Sequence, residues 1–202
     1  MNVLIIPEDC THDQYILKPI IEGILRELKK AQANVRVLRD PNLGGVERAL
    51  KSEELSRILD RNKGMYQLIL LLVDRDGKVG RRNQLVALER QFGPTLPAKC
   101  CFLAEVAIEE IEVWASAGVD LLDGWRMEEV RKLHNPKEDY FSLLAKHLAV
   151  ATGQSGGRRH MGKEAGKNID RVLTRCPELK HLSSRISDFL KTGTITSEPY
   201  NG

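Results

Sequence analysis

Acidic side chains follow apolar segments of the chain at the points where those segments end. Glu8 comes just after the run NVLII, Asp74 and Asp76 follow QLILLLV, and Glu112 comes soon after the next apolar segment. Asp74 and Asp76 are two residues apart on an extended segment, so their side chains can share one side, and Gly77 permits a sharp turn away. Carboxylates that converge in a partly dry cleft repel one another unless a cation neutralises them. The pattern predicts a metal site built from these four carboxylates.

The predicted ligands are hard oxygen donors, and no His or Cys lies near them at metal-binding spacing. This set favours Mg²⁺ or Mn²⁺ and argues against zinc. Such an ion would polarise a scissile phosphate and activate water. Asp74 and Asp76 would hold it, Glu8 would be a ligand or a general base, and Glu112 would complete a second metal site or orient the base.

Simpler interpretations of the same residues remain open. An Asp-x-Asp sequence after a strand is often only a solvated turn. Glu109 and Glu112 are three residues apart near the start of an expected helix, so we expect them to share one helix face, where the helix dipole alone would favour them.

Two groups of basic residues could contact the phosphates of a nucleic acid. The first group follows the Asp-x-Asp sequence, and the second lies on a glycine-rich loop and the helix after it: Arg75, Lys78, Arg81 and Arg82, then Arg158, Arg159, Lys163 and Lys167. We expect Lys163 to steady the charge that develops on the phosphate. The alternative is a solvated charged face, and too few aromatic residues lie among these side chains to predict base stacking.

Four apolar runs have the length and composition of buried strands, and segments with helical periodicity separate them. The order predicts an α/β protein with a mainly parallel four-stranded sheet flanked by helices. The expected strands are residues 2–6, 35–38, 67–73 and 100–107, and the expected helices are residues 13–28, 46–62, 81–92, 109–117, 127–134, 140–152, 163–175 and 178–190. We therefore divide the chain into a core at 1–118, a helical extension at 119–192 that packs on it, and a flexible tail at 193–202.

The composition is that of a soluble globular protein, with 42% apolar and 29% charged residues. Thirty-one basic and 28 acidic residues leave a net charge of +3, which is too small to indicate nucleic-acid binding by itself. The four cysteines form no C-x-x-C pair, which suggests reduced thiols. The first residues resemble neither a signal peptide nor a membrane anchor, so we expect a cytoplasmic protein without membrane contact.

Glu8 after the first strand and Asp74-Arg75-Asp76 after a central strand resemble the pattern of the TOPRIM superfamily. More narrowly, the chain is similar to a small bacterial TOPRIM-like family of unknown function that is related to the OLD-family nucleases. That likeness includes Glu110-Ile111-Glu112-Val113-Trp114, Asn135-Pro136-Lys137 and Arg175-Cys176-Pro177, and it would cover most of the chain. In many TOPRIM domains Gly follows the first glutamate, whereas Asp9 stands here and could crowd or supplement the metal site.

The resemblance implies a TOPRIM-like, Rossmann-like fold and Mg²⁺-dependent phosphoryl transfer on DNA or RNA. A nuclease fits best, since the sequence contains no zinc module or tyrosine-bearing domain of a primase or topoisomerase, and a defence or mobile-element system is the expected setting. One alternative is a phosphatase of the haloacid dehalogenase kind, although Lys78 stands where that motif has Thr or Val. The other is a non-catalytic metal-binding or nucleic-acid-binding regulatory subunit that works with a protein encoded nearby. The sequence leaves open whether the chain is a monomer or a dimer.

Overall fold

The computed structural model describes residues 1–153 and 155–193. Its centre is a four-stranded, all-parallel sheet with the strand order β2-β1-β3-β4. The strands are β1 (Asn2–Pro7), β2 (Asn34–Val37), β3 (Leu68–Asp74) and β4 (Cys101–Ala107). The predicted α/β class is therefore confirmed, and all four expected strands are present within a residue or so of their expected bounds.

The helices surround this sheet, and ten α-helices fall within the described residues. They are α1 (Gln14–Glu27), α2 (Val46–Ala49), α3 (Ser52–Asn62), α4 (Arg81–Phe92), α5 (Glu112–Ser116), α6 (Met127–Val130), α7 (Ser142–His147), α8 (Arg158–Lys167), α9 (Ile169–Arg175) and α10 (Pro177–Thr192). A 3₁₀ turn at Gly93–Thr95 follows α4, and a π-helical turn at Lys137–Phe141 precedes α7.

Each face of the sheet has its own apolar core, because successive side chains of a strand point to opposite faces. On one face, residues such as Val3, Ile5 and Leu70 pack with α1 and with the helices that follow β4. On the other face, Ile69 and Leu71 pack with α2, α3 and α4. Residues 68–73 of β3 are fully buried for this reason, which explains their unbroken apolar sequence.

Several helices differ from the sequence-based expectation. The expected helix 46–62 is divided into α2 and α3, because Lys51 adopts an extended conformation between them. The expected helix 163–175 begins earlier, at Arg158, and is interrupted at Asn168, whose side-chain amide donates a hydrogen bond to the carbonyl oxygen of Gly118 (2.9 Å). Such side-chain contacts between distant segments have no signal in local periodicity.

The segments 109–117, 127–134 and 140–152 also contain shorter helices than predicted. The first of these begins only at Glu112, because Glu109 has a left-handed backbone conformation with φ of 59°. Our expectation that Glu109 and Glu112 share one helix face is therefore wrong. In the last segment, α7 ends at His147, and Ala149 also has a positive φ, of 55°.

The helices after residue 118 pack on the sheet, as we expected. Tyr140, Met161 and Leu179 belong to the same apolar cluster as the strand residues Val3 and Leu70. The expected tail falls mostly on residues 194–202, which lie outside the described part of the chain, as does Gln154 of the glycine-rich loop. The boundary at residue 118 stays a prediction.

No helix in residues 1–153 or 155–193 combines the length and the apolar character that crossing a bilayer would require.

The contact between α1 and α8 depends on two glycines. A Cβ atom added at Gly162 would lie 2.1 Å from the carbonyl oxygen of Tyr15, and one at Gly166 would lie 2.4 Å from that of Pro19. Both contacts are with backbone atoms, which cannot move aside as a flexible side chain can. The two helices can therefore approach this closely only because these positions lack side chains.

We predict that Gly162→Ala lowers the free energy of unfolding by about 1–3 kcal/mol, because the added methyl group must push α8 away from α1. Urea unfolding monitored by circular dichroism would measure the change. Gly64→Ala is the matched control, since a Cβ atom there meets nothing within 4 Å. Equal stabilities of the two variants would contradict the packing described here.

Candidate functional site

The carboxyl ends of β1 and β3 form the part of the sheet edge where a ligand is expected. The chain leaves β1 through α1 to reach β2 on one side, and it leaves β3 through α4 to reach β4 on the other side. The connections therefore diverge between β1 and β3, and a crevice opens outside the strand ends at such a switch point. Glu8 and Asp74 lie at this position.

Glu8 and Asp74 are in direct contact. The backbone N–H of Asp74 donates a hydrogen bond to Oε2 of Glu8 (3.2 Å), and Oδ1 of Asp74 accepts one from the backbone N–H of Ile111 (2.7 Å). Both carboxylates are partly buried. Burial and repulsion from Asp76 and Asp9 raise the pKa of Glu8, although the Asp74 N–H and the charge of Arg81 oppose this shift.

Asp74 is surrounded by further negative charge. Burial raises its pKa well above the ordinary range, and repulsion from Glu8, Glu112 and Asp13 adds to the effect. Among the four predicted ligands, Glu8 and Asp74 are in contact, whereas Asp76 and Glu112 act on them electrostatically. This grouping of carboxylates is called the acidic cluster below.

Asp13 belongs to the acidic cluster and was not among the predicted site residues. Burial, followed by repulsion from Glu8, Glu112 and Asp9, raises its pKa to about 8, while a hydrogen bond from the backbone N–H of Asp9 (3.1 Å) acts in the opposite direction. Asp13 precedes the first residue of α1. Its position in sequence indicates a helix cap, and the start of α1 follows the carboxyl end of β1, where Glu8 lies.

Asp9 turns away from the acidic cluster toward its own loop. Its Oδ2 lies 2.8 Å from Nδ1 of His12, and its Oδ1 accepts a hydrogen bond from the backbone N–H of Thr11 (2.7 Å). Burial raises the pKa of Asp9, but these hydrogen bonds outweigh it and the net shift is downward. Asp9 therefore supplements the negative charge of the site without crowding Glu8 and Asp74.

Glu109 fixes the loop that carries Asp74 and Asp76. Its carbonyl oxygen accepts hydrogen bonds from the backbone N–H groups of Arg75 (2.9 Å) and Asp76 (3.3 Å). Its buried carboxylate accepts one from the N–H of Gly77 (2.7 Å) and pairs with the guanidinium of Arg75. Asp76 and Gly77 both have positive φ, of 50° and 67°, so the chain turns sharply here. Glu109 therefore has a positioning role that its place in the sequence does not indicate.

Glu112 is buried and paired with Arg158. The Nε and Nη2 atoms of Arg158 both donate to Oε1 of Glu112, the first at 2.9 Å. Arg158 is the first residue of α8, after Gly157, which has a left-handed φ of 91° and no room for a side chain against Ala145. The Arg158 guanidinium also lies 5.8 Å from the centre of the Phe141 ring. Part of the cluster's negative charge is thus balanced within the chain.

Arg81 also lies close to the acidic cluster. It is 1% exposed, and its Nη2 and Nη1 atoms lie 3.9 Å from Asp76 and 3.7 Å from Glu47, beyond hydrogen-bond distance. Its Nε and Nη2 atoms are buried and have no hydrogen-bond partner among the described residues. Arg81 is also the first residue of α4, where the helix dipole favours anions. A negatively charged oxygen would satisfy these donors.

The other predicted basic residues have different surroundings. Lys78 is exposed and pairs with Glu47, whereas Arg82 pairs with the fully buried Glu105 of β4. The guanidinium of Arg159 lies 4.8 Å from the centre of the Tyr15 ring. These contacts give Arg82 a structural role and leave Lys78 and Arg159 at the protein surface.

Lys163 and Lys167 are exposed on α8. Lys167 pairs with Glu164 (2.6 Å), and the charge of Lys163 also helps to lower the pKa of Glu164. With a rise of about 1.5 Å per residue, Lys167 lies about 13 Å along the helix from Arg158, which reaches the cluster. Lys163 is about half as far away.

The donor set of the acidic cluster fits a hard divalent cation, because it consists of carboxylate oxygens that are buried close to one another. Burial first, and then repulsion between the carboxylates, raises the pKa values of Glu8, Asp13 and Asp74. As placed, the described residues include no group of three Asp, Glu, His or Cys side chains already arranged to hold a metal ion. Glu8, Asp13 and Asp74 would have to turn their carboxylates toward a shared ion.

The chain matches no protein-family model, no curated protein and no solved structure. The functional interpretation therefore depends on the geometry of the site.

The raised pKa of Asp13 leads to a prediction about the free energy of unfolding. The native state retains a proton on this carboxyl up to about pH 8, whereas the unfolded chain loses it near pH 4. The free energy of unfolding should therefore fall as the pH rises through that window. We predict that Asp13→Asn increases the free energy of unfolding relative to the unmodified chain, and that this increase is about 2–4 kcal/mol larger at pH 8 than at pH 5.

Urea unfolding at pH 5 and pH 8 without divalent ions would measure this difference. Asp123→Asn, at an exposed position, is the control and should change stability equally at both pH values. An Asp13→Asn variant with the pH dependence of the unmodified chain would show that Asp13 is not held among like charges.

Proposed function

We propose that this protein is a Mg²⁺-dependent or Mn²⁺-dependent phosphodiesterase of the TOPRIM kind that cleaves nucleic acid. The observation that carries the proposal is the contact between Glu8 and Asp74 at the switch point of the sheet, within a group of carboxylates whose pKa values are raised. A site for a divalent cation gives a reason for placing these carboxylates together.

The bound metal would supply a Lewis acid for the scissile phosphate and lower the pKa of an attacking water. Glu8, Asp74 and Asp76 would hold it, with Asp13 added to the set. Glu109 keeps the Asp74–Gly77 turn in position for these tasks.

Arg81 would bind the phosphate that undergoes the reaction. It is buried beside Glu8 and Asp76, and its Nε and Nη2 donors lack hydrogen-bond partners among the described residues. Phosphate oxygens satisfy such donors well, and the N-terminus of α4 contributes further positive potential. Lys78 and Arg159 would then contact flanking phosphates from the surface.

Arg158 would contact a phosphate of the substrate in addition to pairing with Glu112. A phosphate that attracts its guanidinium would weaken the pair with Glu112 and free that carboxylate for a metal ion. Substrate binding and completion of the metal site would then be coupled.

We predict that the double variant Asp74→Asn/Asp76→Asn loses Mg²⁺-dependent cleavage by at least about 1,000-fold, because it removes two ligand charges without changing side-chain size. Plasmid and single-stranded DNA and RNA would be incubated with the full chain and Mg²⁺ or Mn²⁺. Asp120→Asn/Asp123→Asn removes the same charge at exposed positions and should cleave normally. Cleavage that survives in the first variant would overturn the assignment.

A second candidate is a non-catalytic binding subunit that acts with a partner protein. The pairing of Glu112 with Arg158 favours it, because a carboxylate held in an ion pair is not available to a metal. Mn²⁺ binding without cleavage of any of these substrates, followed by cleavage once a neighbouring gene product is added, would support this candidate.

The role of Arg81 leads to a separate prediction about binding. Arg81→Met should weaken the affinity for an oligonucleotide about tenfold or more, since charged hydrogen bonds to phosphate are lost. Fluorescence anisotropy with Ca²⁺ in place of Mg²⁺ would measure binding without cleavage. Arg81→Lys tests whether charge alone suffices, and Arg61→Met, at an exposed position of α3, is the control. Unchanged affinity in a folded Arg81→Met variant would remove Arg81 from the phosphate site.

We also propose a cytoplasmic location, with nucleic acid as the main partner. All four cysteines are free thiols, which is typical of proteins in a reducing compartment. Burial raises the pKa of Cys100, Cys101 and Cys176, which makes these thiols unreactive.

A further inference from the structure

A cavity of about 430 Å³ lies beside the start of β4, far from the acidic cluster. Cys101, the first residue of β4, lines the cavity, whereas Ala107, the last residue of β4, pairs with Asp74 of the acidic cluster. Six residues of strand separate these two points, which corresponds to about 20 Å. The cavity is therefore a separate feature of the fold, and its volume is defined by the described residues alone.

The walls of the cavity are mostly apolar. The second half of α4 contributes Val86, the loop before β4 contributes Leu96 and Pro97, and Phe102 and Phe189 complete the lining. A volume of this size is typical of sites for small organic molecules, and apolar walls favour an apolar ligand body.

Arg185 gives the cavity a charged group. It lines the cavity, is 1% exposed, and pairs through Nη2 with Oε2 of Glu89. Its Nε and Nη1 atoms are buried and have no hydrogen-bond partner among the described residues. Glu89 accepts a hydrogen bond from Nη2 of Arg185 but not from these two atoms, and its other oxygen accepts one from the backbone N–H of Ala104. Buried guanidinium donors without a hydrogen-bond acceptor lower the stability of the fold unless a further acceptor is present.

The charges around the cavity favour an anion. Arg185 and Arg90 line it together with one acidic residue, Glu89, which is already paired. An anionic oxygen that reaches Arg185 would satisfy its remaining donors and would also benefit from the exposed Arg90 near the opening.

We propose that this cavity binds a small amphipathic anion, with an apolar body against the aromatic and aliphatic walls and one carboxylate or phosphate group at Arg185. Both head groups offer the oxygen acceptors that a guanidinium recognises. The ligand is bound without covalent chemistry. The proposal is independent of the nuclease assignment, because none of the cavity's lining residues belongs to the acidic cluster.

The test uses octanoate and octyl phosphate as the two anionic probes and octanamide as the neutral one, each below its micelle concentration. Isothermal titration with the full chain should give saturable binding of one ligand per chain for at least one anion. The affinity for octanamide should be at least about tenfold lower. The arm that binds more tightly identifies carboxylate or phosphate as the preferred head group.

Two variants locate the binding site. Arg185→Met should reduce the affinity for the anions at least about tenfold, and Ala98→Trp should do the same by filling the opening, where Ala98 is exposed. Ala98→Ser is the matched control and should bind as the unmodified chain does. If Arg185→Met fails to fold, the affinity of Ala98→Trp alone tests whether the anions bind in this cavity.

The proposal is overturned if neither anion gives saturable binding, if octanamide binds as tightly as the anions, or if Ala98→Trp leaves binding unchanged. The Asp74→Asn/Asp76→Asn variant should still bind the anions normally. That result would show that anion binding does not depend on the nuclease site, because a variant without cleavage activity would still bind the anions.

Discussion

Parallel pairing of β1 with β3 holds two carboxylates together that would separate in solution. Pro7 pairs with Leu72, so Glu8, which directly follows β1, lies beside the end of β3 at the switch point of the sheet. Asp74 is the last residue of β3. The apolar interiors of both strands fix this register, and the repulsion at their ends is a consequence that the chain cannot relieve without disrupting its core.

The surroundings of these carboxylates balance their charge only in part. Arg81 lies near the cluster but beyond hydrogen-bond distance of its nearest acid, and Arg158 is committed to Glu112. Backbone N–H groups stabilise Glu8 and Asp74, yet the pKa values of both remain raised. Burial is the main cause of both shifts, and repulsion between the carboxylates adds to it. Carboxylates perturbed in this way are often found at functional sites.

The sequence predicted the strands and the placement of Glu8 beside Asp74 because both depend on local patterns. An apolar run of five to seven residues identifies a buried strand, and parallel strands all place their ends at one edge. The roles of Asp13 and Glu109 could not be predicted in this way. Asp13 joins the cluster only through the path of α1, and Glu109 supports the Asp74–Gly77 turn only because its backbone is left-handed.

The helices after β4 were predicted less well than the strands for a similar reason. Their bounds depend on tertiary contacts, such as the bond from Asn168 to Gly118 and the glycine contacts between α1 and α8. The basic residues illustrate the same limit, because residue type and spacing do not distinguish the buried Arg81 from Arg82, which pairs with Glu105.

The central claim is that Glu8 and Asp74 share a divalent cation. Anomalous diffraction from crystals soaked in Mn²⁺ tests it most directly, because manganese is located independently of any assumption about the ligands. The account predicts an anomalous peak about 2.1 Å from carboxylate oxygens of both residues. Manganese bound elsewhere on the protein, with none between Glu8 and Asp74, would contradict it.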